Sequence, residues 1–117
     1  MSKTSPTQRS LALLKSQGYR TAITEHWNGF VKRRQDLYGF IDVLAIAPSM
    51  LAIQTTSGTN VSARVTKILD SEAAKEWIEA GHRIIVHGWS KRGGRGEMKR
   101  WRCREVEILK EMFDADL

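Results

Sequence analysis

The chain has 117 residues, 41% of them hydrophobic and 27% charged, which suits one compact domain with its own core. No apolar run reaches the ~18 residues a bilayer demands, and the polar opening MSKTSPTQRS lacks the apolar segment of a secretion signal. A lone cysteine, Cys103, excludes an internal disulfide and, with three scattered histidines (His26, His82, His87), a Cys/His zinc site, so a cytoplasmic protein without a membrane partner is expected.

Ser5-Pro6-Thr7-Gln8 reads as a helix start, with Ser as N-cap and Pro in the first turn. Leu11 and Leu14, with Ala12 and Leu13 alongside, supply its inner face, and Gly18 ends it. YRTAITEHW has strand character, and Asn28-Gly29 opens a polar, basic connection, NGFVKRRQD. Two apolar strands follow, over about 37–46 and 50–56. Ser57, Thr59 and Asn60 are capping residue types ahead of a helix carrying Val61, Val65, Ile68 and Leu69 on one stripe. Asp70-Ser71 opens a second helical stretch, with Ala73, Ala74, Trp77 and Ile78 inward and Gly81 as its stop. RIIVHGW is a buried strand, SKRGGRGE a glycine-rich basic loop, and MKRWRCREVEIL a last strand setting Arg100, Arg102 and Arg104 against Trp101 and Cys103. Trp89 and Trp101 flank the loop and are expected to pair across that hairpin, with Cys103 a small buried hydrophobe. KEMFDADL forms a short helical or frayed tail. The order α-β-β-β-α-(α)-β-β implies a sheet with helices on its faces.

Nineteen Lys and Arg against thirteen Asp and Glu leave a net charge of +6, which favours polyanionic partners, nucleic acid first. The cations cluster in Lys32, Arg33 and Arg34 and again in Lys91, Arg92 and Arg95, both candidate phosphate contacts.

One acid stands out. With a turn at Ala47-Pro48-Ser49, strand pairing is symmetric about residue 48, so Asp42 faces Gln54. Alternation adds Thr56 to that face and puts Ile41, Val43, Leu51 and Ile53 on the other. Two readings stand side by side. Asp42 either bonds Gln54 or a backbone amide and simply ends the pairing, or joins the Gln54 amide oxygen in holding a hard cation such as Mg²⁺.

The hairpin FIDVLAIAPSMLAIQTTSGTN resembles the PD-(D/E)XK nuclease superfamily, which sets an Asp on one strand and (Asp/Glu)-X-Lys on the next. Asp42 matches the first acid, and Gln54-Thr55-Thr56 stands in place of (Asp/Glu)-X-Lys. The archaeal Holliday junction resolvase-like branch is the most similar, and FVKRRQDLYGFIDVLAI also resembles runs in bacterial and phage proteins. The resemblance implies an α/β, restriction-endonuclease-like core spanning 1–117, with a central mixed four- to five-stranded sheet flanked by helices in α-β-β-β-α-β order. It implies a DNA-binding endonuclease that hydrolyses phosphodiester bonds with Mg²⁺ or Mn²⁺, branched DNA included, working as a homodimer. Asp42 and Gln54 would hold the metal, with Glu25 or Asp36 supplying the missing carboxylate. Thr56 would occupy the lysine position, and Lys67 (or Arg64) would provide the cation from the next helix. Gln54 and Thr56 depart from the pattern, so the alternative is a catalytically inactive nuclease fold that keeps DNA binding. A basic domain that binds a protein shares only the charge.

Overall fold

A computed structural model describes residues 4–47 and 49–114. Helix α1 (Pro6–Ser16) begins as its sequence dictates: the Ser5 hydroxyl accepts from the Gln8 amide, Pro6 takes the first turn, and Gly18 adopts a positive φ just past the end. Strands β1 (Arg20–Ile23), β4 (Val43–Ile46), β5 (Leu51–Ser57), β6 (Arg83–Arg92) and β7 (Arg100–Ile108) form one sheet in the order β1-β4-β5-β6-β7. Only β5 and β6 pair in parallel, through the crossover helices α2 (Val61–Leu69) and α3 (Glu72–Glu79). Strands β2 (His26–Asn28) and β3 (Arg33–Gln35) make a separate small hairpin, and α4 (Lys110–Phe113) follows the sheet. The fold is thus α/β, a mixed five-stranded sheet flanked by helices. Setting the small hairpin aside, the chain runs α1-β1-β4-β5-α2-β6, the expected α-β-β-β-α-β order, with α3, β7 and α4 added.

The sheet is covered on both faces. Leu14 of α1 packs on Val43, Ala45, Leu51, Ile53 and Ile85. On the other face Val61, Ile68 and Ala74, from α2 and α3, pack with Phe40, Ile41, Ala52, Ile84, Val86 and Ile108. Helix α2 sits so close to β6 that a Cβ on Gly88 would lie 2.2 Å from Val61 Cγ2.

The β4–β5 register is the expected one: Val43 pairs with Ile53, Leu44 with Ala52 and Ala45 with Leu51. The turn assigned to Ala47-Pro48-Ser49 includes Pro48, which lies outside the described residues, as does the end of the tail, 115–117. Several local expectations change. The strand foreseen over YRTAITEHW breaks at Thr24-Glu25 into β1 and β2, which join different sheets; Ser90–Arg92, foreseen as loop, extend β6; and Cys103 is half-buried rather than buried. The strand foreseen over 37–46 is short, because Tyr38 and Gly39 both take positive φ and fold 37–41 into a tight turn closed by a Leu37–Ile41 bridge. That turn moves Ile41 to the α2 face, away from Val43. NGFVKRRQD is not a bare connection, since Arg33–Gln35 pairs with His26–Asn28. No side chain caps α2; a 3-10 turn over Gly58–Asn60 leads into it. Trp89 faces Cys103 and Trp101 faces Lys91, so the two tryptophans do not pair.

Candidate active site

The register places one end of every sheet strand side by side. The ends of β1, β5 and β6 and the starts of β4 and β7 share one edge of the domain. There a cavity of about 800 Å³ opens, lined among others by Glu25, Asp36, Asp42, Gln54, Thr55, Arg64 and Lys67. Asp42 stands just before β4, Glu25 just before β2 and Asp36 just after β3. Their carboxylates offer oxygens that all lie within 4.8 Å of one another, so the trio can hold a metal ion.

Asp42 is 3% exposed. Its Oδ2 accepts from Gln54 Nε2 (2.8 Å), the Thr55 amide (2.7 Å) and Thr55 Oγ1 (3.2 Å). Burial pushes its carboxyl up to about 8, and the adjacent Asp36 carboxyl and, more weakly, Glu25 push the same way against the Thr55 amide. Gln54, 2% exposed, also reaches Asp36 Oδ2 at 3.3 Å. Its amide therefore bridges two acids, while its own Oε1 is buried without a partner. A half-turn of the amide exchanges nitrogen for oxygen and would add a second kind of hard oxygen donor to the carboxylates. Three crowded carboxylates, with an amide that can turn its unpartnered oxygen toward them, are the donor set that a small dication takes, so these residues fit such an ion.

Cations ring the acids. Arg33, Arg34, Arg64 and Lys67 line the same cavity, and Arg34 Nη1 lies 3.5 Å from Glu25 Oε1. Asp42, Gln54 and Lys67 are thus brought together. Thr56 is buried but does not line the cavity; Thr55 does. Thr55 points to the α1 face, yet its amide and hydroxyl reach Asp42 because the carboxylate sits at the strand's end, where alternation no longer separates the faces. Lys32 is outside the lining, and so are Lys91, Arg92 and Arg95, at the tip of the β6–β7 hairpin.

Sequence reasoning missed the layer beneath. Thr7 and Ser10 are buried on the α1 face that also carries Leu14. Thr7 Oγ1 bonds Thr55 Oγ1 (3.0 Å) and Glu25 Oε1 (3.2 Å). Trp89 Nε1 donates to Ser10 Oγ (2.9 Å), which also shares a hydrogen bond with His87 Nδ1 (2.8 Å). The 7, 10, 11, 14 spacing was the available signal: two hydroxyls lie on the stripe that the leucines mark.

Compared with family models, with curated proteins and with solved structures, the chain finds no match in any of the three.

Proposed function

We propose that the protein is a metal-dependent deoxyribonuclease with a PD-(D/E)XK-like core, a cytoplasmic homodimer that hydrolyses phosphodiester bonds with Mg²⁺ or Mn²⁺, branched DNA included. One observation carries the reading: three converging carboxylates, two of them bridged by the Gln54 amide, share a cavity with Arg33, Arg34, Arg64 and Lys67. Asp42, Asp36, Glu25 and Gln54 would hold the ion, which when bound supplies Lewis-acid polarisation of a phosphoryl oxygen. Asp42 must first release its proton, since burial keeps it protonated up to about pH 8. Lys67 and Arg64 then face a phosphate at the acids and offset the negative charge that grows on it. Arg33 and Arg34 hold the neighbouring backbone.

A second reading is favoured by the Gln54 bridge itself. An amide that already ties Asp42 to Asp36 can stabilise the pair without a metal, leaving a DNA-binding protein that does not cut. Incubation with linear, single-stranded and four-way-junction DNA, with Mg²⁺ or Mn²⁺ and Asp42→Asn as control, separates the two. Metal-dependent cleavage that Asp42→Asn abolishes supports the nuclease. Binding without cleavage supports the second reading.

A further inference from the structure

The β2–β3 hairpin is rooted in the acid cluster, because Glu25 enters it and Asp36 leaves it. Its tip faces water: Phe30 is 100% exposed and Trp27, on the stem, 61%. A phenyl ring left in water forgoes the gain of burial, so the tip contributes little to folding. It is nonetheless set in place. Asn28 Oδ1 accepts from the Phe30 amide (2.9 Å) and the Val31 amide (3.4 Å), and Asn28 Nδ2 donates to Gln35 Oε1 (3.0 Å). Between Glu25 and Asp36 the hairpin holds three cations, Lys32, Arg33 and Arg34, and no acid. A presented aromatic ring flanked by positive charge is complementary to a polyanion whose bases offer flat faces.

We propose that Phe30 stacks on an unpaired base while Lys32 and Arg33 hold the adjoining phosphates. The hairpin thereby favours nucleic acid with an unstacked nucleotide, held on an arm whose root is the acid cluster. The inference rests on the nucleic-acid reading above and adds to it the base-stacking element that selects the substrate. A protein partner would meet the same cations, but an arm that springs from a phosphate-facing cavity favours nucleic acid.

The test is fluorescence anisotropy in chelator, so that no strand is cut, on three DNAs of equal length: a single strand, a fully paired duplex, and a duplex with one unpaired 2-aminopurine. Because Phe30 is fully exposed, Phe30→Ala leaves the fold intact. It is expected to weaken binding to the single strand and the bulged duplex by about 5- to 150-fold and to leave the paired duplex unchanged. The 2-aminopurine emission should change on binding the native protein and not the variant. Equal affinities for native protein and variant, or an equal loss on all three DNAs, would overturn the proposal and leave the nucleic-acid reading standing. A native dimer that Phe30→Ala converts to monomer with DNA binding unchanged would assign the tip to self-association instead. If the native protein binds none of the DNAs at low salt, the nucleic-acid reading itself fails.

Discussion

Asp42 would join stability to the proposed metal binding. Its folded-state value, about 8, lies far above the ordinary 3.8, so the folded chain holds a proton that the unfolded chain has lost. The corresponding stability is fully present below pH 3.8 and is lost as pH rises through about 8. Denaturant unfolding of metal-free protein should show this decline, and Asp42→Asn should flatten it. The same proton must leave when a cation enters, so Mn²⁺ affinity should rise about tenfold per pH unit up to about pH 8 and level off above, by calorimetry. Lys67→Gln should lower cleavage by about 100- to 1,000-fold with metal affinity unchanged, if its charge acts on the phosphate. The Asp42–Gln54 pair was legible in the sequence because residue numbers that sum to twice the turn centre must face each other. The choice between Thr55 and Thr56 was not, since a carboxylate at the end of a strand reaches past the alternation. Glu25 and Asp36 were legible only as alternatives; the hairpin between them is what brings both to Asp42.

At the scale of elements, helices were easier to read than strand ends. Caps and stops at Ser5, Gly18, Ser71 and Gly81 are local chemistry, and the helices begin and end there. The tight turn at Tyr38-Gly39 was hidden inside an apolar run, because Tyr38 is not a residue that advertises a positive φ. Gly88 shows the cost of close packing. Gly88→Ala must push Val61 away from β6 and should destabilise the fold by roughly 1–3 kcal/mol or more, read from the urea midpoint at constant slope. Helix α1 is fastened to β6 through Ser10 and His87. Burial holds the His87 imidazole below its ordinary 6.5, while Glu105 Oε1, 3.3 Å from Nε2, pulls the other way. An acid unfolding series should therefore show stability present above pH 6.5 and lost as pH falls through the lower folded value. His87→Gln, which keeps a partner for Ser10, should remove that loss.

For the whole molecule, charge and topology act together. The β2–β3 hairpin hangs from the β1 edge and the β6–β7 hairpin, which outruns β5 by the residues Ser90 to Arg92, extends from the opposite edge, both toward the acid end. Four strand spacings separate the edges, roughly 19 Å. If DNA lies across that end, replacing Lys91, Arg92 and Arg95 by Gln should make the slope of log affinity against log salt shallower, by about 0.9 for each phosphate that is no longer neutralised. The direction of α1 has a practical side. Pro6 and Thr7 line the cavity, whereas β7 runs away from it and ends at Ile108, paired with Ile84 near the start of β6. A peptide joined at Pro6 would thus start at the cavity wall, whereas the chain after Ile108 leaves the sheet at the opposite end. An affinity tag on the amino end would crowd the cavity, and a poly-histidine tag there would compete for any metal that the acids hold. The same tag on the carboxyl end would tether the protein to a surface with its working edge turned outward.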